Sequence, residues 1–199
     1  MNYRRIKMDN NVLNRLFRES RTVNYFSDKE VTDALIRELY DLTKMAPTAF
    51  NAQPARFVFL KSKEAKAKIK PFLSEGNIEK TMAAPVTVIV AIDYDFYKLL
   101  NKTFPVADVR GYFEGNQTMI DATAFRNGTL SGGYLTIAAR SLGLDVGPMS
   151  GFDNAGVDSV FFEGTNVKSN FLMNLGYGIA EGTHPRLERL TFDEVAKII

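Results

Sequence analysis

Three short segments bring together polar groups of the kind that hold a charged, hydroxyl-rich ligand. Ser20-Arg21-Thr22-Val23-Asn24 combines a guanidinium, hydroxyls and main-chain amides, a set suited to a dianionic phosphate gripped by charge-assisted hydrogen bonds. Ala46-Pro47-Thr48-Ala49-Phe50-Asn51-Ala52-Gln53-Pro54 is rich in turn residues, and its prolines stiffen a loop whose amides can address hydroxyls or ring heteroatoms. Gly143-Leu144-Asp145-Val146-Gly147-Pro148-Met149-Ser150-Gly151-Phe152 is glycine-rich, and backbone N–H groups exposed there can hydrogen-bond a ring nitrogen without any side-chain acid. Each has a plain alternative: a loop with a solvated Arg, a helix-to-strand connection, and an ordinary Gly-Pro turn.

Other chemistries lack their residues. The chain has no Cys and one His, which removes disulfides, thiol nucleophiles and clusters of imidazole ligands. That residue, His184, sits in the turn-like Gly182-Thr183-His184-Pro185 and reads as a surface or phosphate-neighbouring group rather than a catalytic base. No P-loop occurs, and Gly176-Tyr177-Gly178 has Glu181 where a dinucleotide fingerprint needs its third Gly. If the chain is an enzyme, a cofactor is expected to supply the reactivity, and the three segments together suit flavin mononucleotide (FMN).

The elements that position these segments follow from periodicity. Asn10 to Glu19 is expected as a first helix with Val12, Leu13, Leu16 and Phe17 on one face. Ser27-Asp28-Lys29-Glu30 reads as a capping box opening a second, with Val31, Leu35, Leu39 and Leu42 as its buried stripe and Pro47 as its stop. Arg56 to Lys61 is a short β-rich run, and Pro85 to Asp93 is a strand apolar enough to be buried on both faces. Lys63 to Leu73 between them is expected as a Lys-rich helix whose charges form a solvated face. Asn116 to Gly143 predicts a long helix capped by Gly143, in which Gly132-Gly133 marks either close approach of a backbone or ligand, or a kink. Ser169 to Tyr177 is a third strand, and Thr191-Phe192-Asp193-Glu194 caps a terminal helix. A few strands among longer helices imply an α+β fold.

Composition bounds the partners. With 199 residues, 45% hydrophobic, 24% charged and a formal charge of +2, the chain fits one folded domain without an electrostatic footprint for nucleic acid. Arg4, Arg5 and Lys7 read as a solvated tail. No apolar run reaches the roughly 20 residues of a membrane span, and Met1 to Asn11 lacks the apolar core of a signal peptide, so a cytoplasmic location is expected.

The order Arg-Thr-x-Asn, Ala-Pro-Thr-x-x-Asn-x-Gln-Pro, Gly-Leu-Asp-x-x-Pro-Met-x-Gly-Phe resembles the nitroreductase family, most closely its malonic semialdehyde reductase-like branch. Ser74-Glu75-Gly76-Asn77-Ile78-Glu79-Lys80, Thr123-Ala124-Phe125-Arg126-Asn127, Lys168-Ser169-Asn170 and Arg186-Leu187 extend the likeness from about Phe17 onward. The resemblance implies an α+β fold with a central, mostly antiparallel sheet surrounded by helices, in an intertwined homodimer with FMN at the subunit boundary. Residues 1–15 are then an N-terminal extension and the start of the first helix, and 16–199 a single FMN-binding domain.

By matching positions, the resemblance puts Arg21, Thr22 and Asn24 at the phosphate and ribityl chain, and Asn77 and Lys80 near the ribityl and the pyrimidine edge. Ser150 and Gly151 match the pair beside flavin N5, preceded by Pro148 and Met149. Arg186 and His184 match basic residues near the phosphate, and Thr48 and Asn51 reach the cofactor from the partner subunit. The implied activity is hydride transfer from NADH or NADPH to a small acceptor, which is a nitro compound, a quinone or an aldehyde such as malonic semialdehyde. The alternative is a flavin carrier or regulator without turnover. Arg110 or Arg126 is the candidate for a substrate carboxylate, either being equally a structural ion-pair partner. Phe113 and Phe125 wall the pocket or fill the core, with core the better assignment for Phe125. Ser20 and Asn24 replace basic residues common in the first motif, so phosphate neutralisation is expected to rest on fewer charges, while Ala49 and Ala55 replace a Ser and an aromatic in the second.

Overall fold

A computed structural model describes residues 7–179 and 183–199. Arg4 and Arg5 of the basic tail, and Glu181 and Gly182, lie outside the described residues. Val86–Asp93 (β2), apolar almost throughout, runs through the middle of a four-stranded sheet of order β1-β2-β4-β3. Ala55–Leu60 (β1) and Val167–Gly176 (β4) flank it, both antiparallel, pairing for example Phe57 with Val90 and Val88 with Met173. Burial from Val86 through Ile92 bears out the expectation of a strand covered on both faces.

The fourth strand, Asp145–Met149 (β3), falls within the segment read above as a glycine-rich loop. Gly147 and Pro148 have poor strand propensity, but β3 pairs antiparallel with β4 at Val146–Leu175 and Pro148–Met173. At the sheet edge a proline without an N–H is tolerated.

Asp9 caps a short helix, Asn10–Leu13 (α1), which continues as a π-helical turn, Asn14–Arg18. Only Leu16 of the expected apolar face is buried; Val12 and Phe17 are exposed. The second helix, Asp33–Thr43 (α2), begins later than Ser27-Glu30 suggests, because Thr32 accepts from the Leu35 N–H at 3.2 Å. Residues 22–27 are drawn instead into bridges, Phe26 with Gly178 and Ser27 N–H to the Tyr177 carbonyl at 2.8 Å. Val31 and Leu39 are buried, whereas Leu42 faces outward.

Lys63–Ile69 (α3) and Glu75–Ala83 (α4) pack together between β1 and β2 in sequence. The lysines of α3 do not all reach water: Lys66 is buried, contrary to the solvated face expected of this helix. Leu100–Thr103 (α5) precedes a helix of 25 residues, Gln117–Ser141 (α6), capped by Asn116 and ended by Gly143 at φ +81°. Gly132 has a reason inside the chain, since a Cβ there would lie 2.5 Å from the Phe171 ring. Gly133 has none: a Cβ would meet no described atom within 4 Å. Asn154–Phe161 (α7) covers β4, and the capping box of Thr191 and Glu194 opens Phe192–Val195 (α8) as expected.

Candidate functional site

The first and third polar segments meet along β3. Thr22 forms a parallel bridge to Val146, and Val23 N–H donates to the Val146 carbonyl at 3.0 Å. The approach is close enough that a Cβ on Gly147 would lie 2.4 Å from the Val23 carbonyl oxygen, so this glycine is what lets the two strands touch.

Guanidinium groups converge beside that junction, at the carbonyl end of the first helical turns, where the helix dipole favours cations. Arg21 donates to the carbonyls of Glu19 at 2.9 Å and Ser20 at 3.0 Å. Arg186 donates to Arg18 at 2.6 Å and Ser20 at 2.9 Å, and Arg140 to Leu16 at 3.0 Å. Arg15 is bound to the Leu144 carbonyl and pairs with Asp145 at 3.0 Å. Burial, then repulsion from Arg15, holds the Arg140 pKa below its ordinary value; at Arg186 the same order applies, with Arg21 and Arg189 as the repelling charges. Such crowding favours an anion. Two clefts open here, one of about 490 Å³ lined by Arg15, Arg21 and Asp145, the other of about 370 Å³ lined by Arg21, Thr22, Arg140, His184 and Arg186. More positive charge gathers at this junction than the first motif suggests. Arg15, Arg140 and Arg189 carry no local signal, because only the fold brings them to Arg21.

The end of β3 makes a second polar surface. The Gly151 carbonyl accepts from Ser74 N–H at 3.0 Å and from Asn77 Nδ2 at 2.8 Å. A Cβ on Gly151 would stand 2.6 Å from Asn77 Nδ2, so a side chain would fill this cradle. Asn77 and Lys80 lie three residues apart on α4 and share a face. Among the described residues no carboxylate pairs with the Lys80 ammonium. Ser150 and Pro148 are exposed, whereas the Met149 side chain is buried with its Sδ 3.5 Å from Thr81 Oγ1, leaving only its backbone for a ligand. Asn24 is half-buried on the same strand-like segment as Thr22.

Thr48 and Asn51 belong to a separate group. Phe50, Asn51 and Gln53 all have left-handed φ, at 53°, 49° and 45°. Thr48 Oγ1 accepts from Gln53 N–H at 3.2 Å, Asn127 Oδ1 accepts from Ala49 N–H at 2.9 Å, and the Asn51 amide donates to the Thr103 carbonyl at 2.7 Å. Backbone strain held by so many contacts marks a loop whose shape matters.

Two aromatic assignments are corrected. Phe113 is fully buried, stacked edge-on against Phe96 at 5.0 Å, so it fills the core and lines no open pocket. Phe125, assigned to the core, is 55% exposed on α6. Arg110 is half-buried and pairs with Asp108 at 3.1 Å; Arg126 lies on the open face of α6. Among the described residues no group of three or more His, Cys, Asp or Glu gathers as a metal site, and no helix is long and apolar enough to cross a membrane.

The nitroreductase family profile matches residues 18–177. This chain belongs to the nitroreductase family. A Burkholderia lata relative, provisionally named NADH dehydrogenase/NAD(P)H nitroreductase, is 58% identical over 191 residues, covering 96% of this chain and 98% of its own length. A Stenotrophomonas maltophilia relative of the same provisional name is 59% identical, with coverage of 96% and 97%. Among solved structures, a provisional nitroreductase from Exiguobacterium sibiricum in complex with FMN superposes with a TM-score of 0.84 at 16% identity, covering 97% and 99%. The nitroreductase fold is therefore that of an α+β protein with an antiparallel sheet, as the motifs implied.

Proposed function

We propose that this nitroreductase-family chain is an FMN-dependent oxidoreductase that moves hydride from NADH or NADPH to a small acceptor. The observation that carries the reading is the continuity of β3: one end docks the segment bearing Arg21 and Thr22, and the other forms the Gly151–Asn77 cradle. The donor set fits a flavin nucleotide. Arg21, Arg186 and Arg140, with Thr22 and His184 beside them, would hold the phosphate; Asn24 would meet the ribityl chain; Asn77 and Lys80 the ring edge; and the backbone at Ser150 and Gly151 the N5 side. FMN, when bound, supplies the two-electron chemistry that no side chain in this set can provide. The protein's own part is to orient, to keep water out, and to place the Lys80 charge beside the ring, where a low-dielectric pocket strengthens it.

One open face serving donor and acceptor in turn gives ping-pong kinetics. The acceptor is a nitro compound, a quinone or an aldehyde such as malonic semialdehyde; for the last, Arg110 or Arg126 would take the carboxylate. A homodimer supports this site. Phe125, Leu130 and Tyr134 leave an apolar cleft of about 830 Å³ on α6, and Gly133 on the same face carries a helix-interior penalty of about 1 kcal/mol that no contact among the described residues explains. Close approach of a second copy accounts for it. Leu187, Leu190, Phe192 and Ile198 of the C-terminal segment are also exposed and suit an intertwined arm. The partner's copy of the strained loop would then bring Thr48 and Asn51 to the cofactor.

Titration of apo-protein with FMN, followed by anaerobic addition of NADH or NADPH, tests the reading. Tight binding with bleaching of the flavin band, and its recovery on adding acceptor, is expected. Binding without bleaching indicates a carrier, and no binding removes the flavin proposal.

A further inference from the structure

Helix α4 carries Asn77 and Lys80 and is fastened at both ends. Its N-terminal end is tied to Gly151 through Ser74 N–H and Asn77 Nδ2. Its C-terminal end has carbonyls that no further turn satisfies, and helix ends buried in this way need other donors. Those donors are side chains from three elements. Asn174 Nδ2 of β4 adds a second donor at 3.3 Å to the Lys80 carbonyl, which already accepts from the Ala84 N–H at 3.1 Å. Thr87 of β2 reaches the Thr81 carbonyl at 3.5 Å and hydrogen-bonds Asn174 at 2.8 Å. Lys66 of α3 donates from Nζ to the Thr81 carbonyl at 3.1 Å and to the Ala84 carbonyl.

Lys66 is the unexpected member. It is 3% exposed, and a buried ammonium persists only where it is well hydrogen-bonded. The ionisable groups on the elements packed around it are Lys70 in the turn after α3, Glu75, Glu79 and Lys80 on α4, and Asp158 on α7. None of them sets its titration: burial alone pushes its pKa down to about 8. A charge placed at a helix C-terminus, with no carboxylate beside it, is a fastening that operates through the helix dipole and two carbonyls.

We infer that Lys66 is a positioning residue for the cofactor site: its ammonium anchors the C-terminal end of α4 and so holds Asn77 and Lys80 in register with Gly151. The inference rests on the FMN reading above. Deprotonation removes the charge from the two charge-assisted bonds and loosens α4 without unfolding the chain.

The sign of the linkage gives a signature. The folded-state pKa of Lys66 is depressed below the unfolded value of 10.5, so from about pH 8 upward the unfolded chain binds the extra proton and stability rises with pH. Over the same span, FMN affinity falls. General destabilisation would move both quantities together.

The experiment compares the wild-type protein with Lys66→Met and Lys66→Arg. FMN dissociation constants come from quenching of flavin fluorescence between pH 7 and pH 9.5, and melting temperatures of the apo-proteins are read in the same buffers. Wild type is expected to bind FMN about tenfold more weakly at the alkaline end, while its stability gains relative to Lys66→Met. Lys66→Met should bind FMN about tenfold more weakly at pH 7 with no loss specific to alkaline pH, and Lys66→Arg should restore binding at pH 9.5. Equal affinity and equal pH profiles in folded Lys66→Met and wild type overturn the inference while leaving the FMN reading intact. If Lys66→Met does not fold, a wild-type affinity flat across this pH range overturns it equally well. Wild type that ignores FMN at pH 7 sinks the functional reading itself.

Discussion

Gly147→Ala tests whether the two halves of the site are joined as the fold has them. The added Cβ would stand 2.4 Å from the Val23 carbonyl oxygen, against the 3.4 Å at which ordinary contact begins. The obstacle is backbone, which cannot rotate away as a side-chain tip does, so the segment bearing Arg21 and Thr22 has to retreat by about 1 Å. That retreat breaks the 3.0 Å bond from Val23 N–H to the Val146 carbonyl. Losing one such bond costs about 1 kcal/mol and overpacking about 1–3 kcal/mol, giving roughly 2–4 kcal/mol in all. For a chain of this size the melting temperature then falls by roughly 4–16 °C. FMN affinity should fall at least about tenfold, because every 1.4 kcal/mol lost from the phosphate grip is a factor of ten. Circular dichroism melts of apo-protein and flavin fluorescence titration read the two effects. Gly76→Ala, where a Cβ would meet no described atom within 4 Å, is the stability control and should melt no lower than wild type. A Gly147→Ala protein that melts and binds FMN like wild type would show that Val23 does not rest on β3.

Further outcomes follow from particular contacts. Arg186→Ala removes donors from the crowded guanidinium group and should weaken FMN binding by about 10- to 100-fold with little change in fold, and unchanged affinity in a fluorescence titration excludes Arg186 from the phosphate site. Asn77→Ala loses the bond to the Gly151 carbonyl, which keeps its second donor from Ser74, so melting should drop by only about 2–4 °C while FMN affinity falls more than stability does; the reverse order speaks against the cradle. Gly133→Leu should leave the fold of a chain intact yet turn a dimer into a monomer in light scattering, and a dimer that survives refutes helix approach at that face. In acid, the hydrogen bond from Lys61 holds Asp33 below its ordinary pKa of 3.8, so the stability this pair adds is present above about pH 4 and is lost as pH falls through the lowered value. Lys61→Met should therefore flatten the acid limb of a melting-temperature profile, and an unaltered limb counts against the pair.

Much of this protein was legible in its residues because the signals are local. The apolar run of β2, the periodicity and caps of α6, and the Thr191–Glu194 capping box each depend on neighbours within a few positions, where propensity and hydrogen-bonding geometry act directly. The motif segments are equally local, which is why their order along the chain pointed to the nitroreductase family before any contact was known.

Tertiary pairing decided the remainder. Gly147-Pro148 lacks strand propensity, and β3 exists because β4 and the segment at Thr22 lie on either side of it. Lys66 has the composition of a solvated helix face, yet the carbonyls of α4 draw it inside; Phe113 is buried by Phe96, and Phe125 is left outside by the turn of a helix. Arg140 and Arg186 join Arg21 only when chain segments more than a hundred residues apart are folded together. Local sequence sets what a segment can become, but burial and the partner of each polar group are properties of the packed chain, and no window of neighbouring residues contains them.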